Sequence, residues 1–167
     1  EKITIPFIGN KKDGTYTYNT SFDYIFNGRI SIPSSLKEVV INSGNIPDYA
    51  FENCGKITSV TLPDDAESIG YRAFANCSSL KSVYLGGVSE ISADAFNGCN
   101  SLETVKISQN AKLSDFGSFS NAPNLKYNVL NGGFYLGNDD NAYVALVKTE
   151  NTSISSFKIS ETTKIIA

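Results

Sequence analysis

The chain has 167 residues, 41% of them hydrophobic, with 14 basic and 17 acidic groups and a net charge of −3. That length allows one ordinary domain or one stretch of a repeat array, and the slight negative charge supplies no basic field for nucleic acid. No apolar run approaches the roughly 20 residues of a membrane-spanning helix. The absence of histidine removes Ser-His-Asp and Cys-His nucleophile systems together with the commonest general base.

Residues 1–35, with "TIPFIG" and "SFDYIF", read as a divergent opening segment. The chain starts without Met or a signal peptide and stops at "TKIIA", where the later pattern would next call for an Ala-Phe block. The expectation is a piece of a longer array, cut in mid-rung. A first strand follows in "LKEVVI" (36–41). Then come three near-copies: "IPDYAFENCGKITSVTL" (46–62), "IGYRAFANCSSLKSVYL" (69–85) and "ISADAFNGCNSLETVKI" (91–107). Phe51, Phe74 and Phe96 are 23 and 22 apart, as are Cys54, Cys77 and Cys99, and Val60, Val83 and Val105 keep the step. A self-similar period in the low twenties indicates stacked structural repeats rather than a closed globule.

Within a copy, Leu80, Val83 and Leu85 have the L-x-x-L-x-L spacing of a leucine-rich repeat strand. Alternation sends Val83 and Leu85 inward and leaves Ser82 and Tyr84 facing out. Gly86 and Gly87 supply the turn. "RAFANC" is too short for a stable helix, so a tight helical or 3₁₀ turn placing Ala73 and Phe74 inward is expected. The predicted repeat core is therefore Phe51, Cys54, Val60, Phe74, Cys77, Val83, Phe96, Cys99 and Val105. One rung buries too little to offset the entropy of ordering it, so neighbours must share strands and Phe packing.

Beyond the third copy the pattern weakens. "FSNAPNLKYNVL" (119–130) is a degenerate unit with Ala122 at the Cys position and Asn128 at the inward Val position. "FYLGNDDNAYVALVK" (134–148) is apolar, then turn-forming, then apolar, and predicts a hairpin inserted between rungs. "ISSFKI" (154–159) has the rung-strand spacing again. The expected organisation is a single solenoid over 1–167: opening segment 1–35, repeats 36–130, inserted hairpin 131–148, and a resumed, truncated repeat over 149–167.

These residues resemble the BspA-like leucine-rich repeat family, whose unit reads approximately I-x-x-x-A-F-x-x-C-x-x-L-x-x-V-x-L-P. The three copies carry the match, with Gly86 and Ser108 where Pro is usual. The resemblance implies a right-handed, β-rich superhelix with one parallel sheet of short strands, and turns or short 3₁₀ segments on the opposite wall. It also implies a secreted or cell-surface protein of a host-associated microbe, serving adhesion or binding to host or neighbouring-cell proteins.

Other chemistry finds little support. Asp64, Asp65 and Glu67 cluster in one turn, with Asp94 a rung away, as polar corners of a solenoid do; an enzyme is not the reading. The three cysteines lack C-x-x-C pairing and a histidine partner, which disfavours zinc. They read as a buried free-thiol ladder packing as small hydrophobes, with a Cys54–Cys77 or Cys77–Cys99 bridge as the alternative. "GNDDNA" (137–142) lacks calcium-loop spacing and suits a turn. Asn19, Asn76 and Asn151 head Asn-x-Ser/Thr sequences that matter only in a eukaryotic secretory route. No phosphate-cradling loop appears, so no cofactor and no metal is expected.

The organised surface left is the strand face. Outward positions form two columns: Glu38, Ser59, Ser82, Thr104 and Val40, Thr61, Tyr84, Lys106. The candidate ligand-binding residues are Tyr84, Lys106, Thr61, Lys81, Ser82 and Thr104, with Tyr84 and Lys106 suited to directed contacts. Tyr135 and Tyr143 on the hairpin make a second patch. The leading function is a protein-binding or adhesive module using the strand face. A structural spacer presenting another domain, or a glycan-binding module stacking sugars on Tyr84, Tyr135 and Tyr143, are the alternatives.

Overall fold

A computed structural model describes residues 1–8, 21–26, 31–109, 113, 117–119, 122–149 and 160–166. The chain is a β-solenoid with almost no helix among these residues. Its main sheet is parallel and five-stranded, in the order β1 (Lys2–Ile5), β2 (Glu38–Ile41), β3 (Ser59–Thr61), β5 (Ser82–Tyr84), β7 (Thr104–Lys106). β4 (Ser68–Ile69) and β6 (Glu90–Ile91) form a second parallel wall, with Ile46 bridged to Ile69. Register in the main sheet is strict: Val39, Val60, Val83 and Val105 lie side by side. All four are buried, as are Ile41, Leu62, Leu85 and Ile107 two residues on, because a period of two sends every second side chain to the same face. The opening segment joins this sheet from the start, since β1 pairs with β2 from Lys2↔Glu38 to Ile5↔Ile41.

The third wall carries the Ala-Phe blocks. As expected from "RAFANC", it is built of tight turns, with Ala73 and Phe74 buried. Ala73, Ala75 and Cys77 donate to the carbonyls of Gly70, Arg72 and Phe74, each three residues back. Phe74 and Asn76, lying between them, donate instead to Ala95 and Asn97 of the next rung. The block around Phe51 repeats this, with Phe51 and Asn53 donating to Ala73 and Ala75. Left-handed residues break each turn after one bond: Tyr49, Arg72 and Asp94 at one repeat position, Asn53, Asn76 and Gly98 at another, all with φ between 52° and 75°. A continuous helix would consume every amide internally, whereas this alternation releases every second one to tie rungs together.

Inside this wall runs a stack of five rings. Phe22, Phe51, Phe74, Phe96 and Phe119 are separated by 4.8, 5.0, 5.1 and 4.9 Å between centroids. The central pairs are nearly parallel, at 8° and 6°. The backbone pitch between hydrogen-bonded rungs, about 4.8 Å, sets this spacing, so the rings stack in parallel rather than edge to face. Phe22 extends the ladder into the opening segment. All nine predicted core residues are buried.

The cysteines are free and buried. Cys77 Sγ donates to the Phe51 carbonyl at 3.0 Å and Cys99 Sγ to the Phe74 carbonyl at 3.1 Å. Each carbonyl also accepts the amide of its own rung's cysteine, from Cys54 and Cys77 respectively. The thiol thus fills an apolar slot and occupies the carbonyl's second lone pair. Burial pushes the Cys99 thiol up to about 12.

After β7 the order changes. Lys126 N–H donates to the Glu103 carbonyl, as Glu103 does to Lys81 and Lys81 to Thr58, so a fifth rung strand begins in register. The chain then leaves as β8 (Asn128–Leu130) and turns at Asn131–Gly132, with φ of 52° and 78°. It returns as β9 (Gly133–Leu136) and comes back beside Lys106 at Gly137. Asn128 is therefore not an inward rung residue; it is exposed and pairs with Tyr135. The two-residue Asn-Gly loop, left-handed at both positions, matches strand twist and closes β8 on β9. The predicted hairpin is present as β9 against β10 (Ala145–Thr149), and β8 makes it a three-stranded meander. β10 then pairs in parallel with β11 (Ile165–Ile166), and Lys164 donates to Val144 in the rung manner. The proposed rung strand at 154–159 lies outside the described residues.

Candidate functional site

The outward columns form as the alternation requires. Ser59, Ser82 and Thr104 are adjacent, and so are Thr61, Tyr84 and Lys106, with Glu38 and Val40 continuing each series. The β9–β10 loop rises beside them. Asn138 shapes that loop: its Oδ1 accepts the amides of Asp140 and Asn141 at 3.0 and 2.9 Å, and its Nδ2 donates to the Ile107 carbonyl at 2.8 Å. Ile107 N–H donates to Gly137 at 2.9 Å. "GNDDNA" is thus a side-chain-closed turn, and no three-member acidic or cysteine cluster suited to a metal occurs among the described residues.

The loop's Asp139 reaches back over the sheet. Its two carboxylate oxygens accept Lys106 Nζ at 2.7 and 2.8 Å. Strand face and loop together enclose a hollow of ≈ 550 Å³. Tyr84, Thr61, Ser82, Thr104 and Lys106 all line it. Asn138, Asp139, Asp140, Ser108 and Gln109 make up its other side. The Tyr84 hydroxyl points toward Asp64 Oδ1, 3.4 Å away.

Three expectations change here. Lys106 is not a free cation, because Asp139 already pairs with it. Lys81 is exposed at the start of its strand and is not among the lining residues. Tyr135 is fully buried and packed edge-on against Tyr143 at 5.4 Å, so Tyr84, Tyr135 and Tyr143 do not form a sugar-stacking platform. From the sequence, the strand face and the hairpin tyrosines Tyr135 and Tyr143 were separate patches, and the Asp-rich loop was a turn. The only hint that loop and strand face meet is the run of Asn, Asp and Gly, which predicts a turn but not what the turn leans on.

Elsewhere on the same sheet, Glu103 and Lys126 pair across the rung, and the lysine holds the Glu103 carboxyl below its usual range through their hydrogen bond and charge attraction.

No curated protein matches the sequence. A solved structure of a leucine rich cell surface protein from Faecalibacterium prausnitzii A2-165 is similar at 22% identity and a TM-score of 0.42, over 97% of this chain. The chain spans 58% of the length of that protein. A family model of the BspA type leucine rich repeat region matches residues 44–167 in six copies. With that match covering most of its length and the stacked Phe–Cys–Val rungs behind it, the chain belongs to the BspA-type leucine-rich repeat family.

Proposed function

We propose that this chain is a protein-binding module at the cell surface or in secreted form, and that the hollow between the strand face and the β9–β10 loop receives the partner. One observation carries the reading: two elements far apart in sequence converge on a single concave surface that presents hydroxyls, a tyrosine and carboxylates. Solenoids recognise partners on extended faces of this kind. Tyr84 supplies the wide, stiff side chain that anchors interfaces. Adhesion to host matrix or neighbouring-cell protein is the role that the family's surface setting favours.

The test is a binding screen of the protein against immobilised matrix proteins and a glycan array, with Tyr84→Ala alongside. Saturable binding to a protein, weakened about tenfold or more in the variant, supports the reading. A glycan signal alone replaces it with a lectin, and silence on both panels favours a spacer.

A further inference from the structure

The strand-face hollow continues past Tyr84. A second hollow of ≈ 410 Å³ is lined by Asp64, Asp65, Glu67 and Ser108 among others, and Ser108 lines both. Asp64 and Tyr84, 3.4 Å apart at their polar tips, join the two. Among the described residues, their walls hold five carboxylates, those of Asp64, Asp65, Glu67, Asp139 and Asp140, against the single ammonium of Lys106. That is four net negative charges where the entire chain carries −3, so the rest of the molecule is close to neutral. The field is concentrated in one concave place, where low-dielectric walls focus it.

The groups are also unequally occupied. Asp139 is committed to Lys106, and Asp65 accepts from Ser43 and the Gly44 amide. Among the described residues, the Asp140 carboxylate has no partner and Asp64 has only the long contact to Tyr84. Asp64 thus meets the Tyr84 hydroxyl and Asp140 lines the same hollow as the Tyr84 ring, an arrangement that suits a cationic side chain lying against the ring face.

We propose, building on the groove reading, that the occupant is an extended protein segment bearing lysine or arginine. Its cationic side chains sit between Asp64, Tyr84 and Asp140. Its backbone meets the hydroxyls of Ser59, Ser82 and Thr104. An acidic segment is repelled, and a neutral one lacks the anchoring charge.

The test uses the intact protein and three extended peptides of equal length, alternating Thr-Lys, Thr-Gln and Thr-Glu, titrated calorimetrically at about 50 and 500 mM salt. Binding of the Thr-Lys peptide alone is expected, weakened about tenfold in Asp64→Asn/Asp140→Asn and strongly reduced at high salt. Neither substitution touches a core contact, and circular dichroism checks that the fold is kept. Equal binding of Thr-Gln and Thr-Lys, insensitive to the double substitution, overturns the charge inference and leaves the groove reading standing. Thr-Lys binding that survives the double substitution also overturns it, by placing the attraction elsewhere. If no peptide binds, the inference falls, and the matrix-protein screen with Tyr84→Ala judges the groove reading separately.

Discussion

Gly86 shows how tightly each repeat position is specified. It sits at φ +58°, and a Cβ there would lie 2.1 Å from the Pro63 carbonyl oxygen of the previous rung. Backbone strain and collision act together, so Gly86→Ala is expected to lower stability by about 2 kcal/mol or more in denaturant unfolding. Cys99 gives a pH prediction. Its thiol is pushed from 9.0 to about 12 by burial, so the fold prefers the neutral form. The associated stability is complete below pH 9 and is lost as pH rises toward 12. Unfolding measured from pH 8 to 11 should fall more steeply for the native protein than for Cys99→Ala, whose curve lacks this component. Equal slopes would contradict the assignment. The thiol's apolar packing was legible in the sequence. Its bond to a neighbouring rung's carbonyl was not, because that depends on how the Phe block closes in three dimensions.

Elements follow the same division. The strands were legible because an alternating apolar pattern over a fixed period leaves one register that buries Val60, Val83 and Val105 together. The turn wall was legible as tight turns, because "RAFANC" is too short for a stable helix, but its bonding between rungs was not. The left-handed residues at Arg72 and Asn76 are what divert alternate amides to the next rung. β8 was assigned to a rung because "NLKYNVL" keeps the spacing, yet the Asn131–Gly132 turn competes for it and wins. The β9–β10 loop depends on one side chain. Asn138→Ala removes four hydrogen bonds, those with Ile107, Asp140, Asn141 and Gln109. It is expected to speed amide exchange at Asn141 and Ile107 about tenfold or more, while Val83 stays protected. Uniform change across all three would argue against a locally closed loop.

For the molecule as a whole, stability is a sum over neighbours: each rung contacts the ones beside it through strand ladders, the Phe stack and the alternate amides of the turn wall. This one-dimensional build leaves the outward residues of each strand free to vary without disturbing the core, and those residues are the ones that line the hollow. Period and family were therefore readable from the sequence, since they are written in every rung. The candidate site was readable only in half. Its strand side follows from alternation, but its loop side comes from an insertion docked by the Gly137 and Asn138 bonds to Ile107 and by the Lys106–Asp139 pair across 33 residues of sequence. The measurement that bears most directly on the central claim compares two variants on a protein ligand retained by the native chain. Ser82→Arg places bulk in the middle of the groove, and Tyr71→Ser alters an exposed residue outside it. The account predicts that Ser82→Arg abolishes saturable binding while Tyr71→Ser binds as the native protein does. Undiminished binding by Ser82→Arg would contradict it.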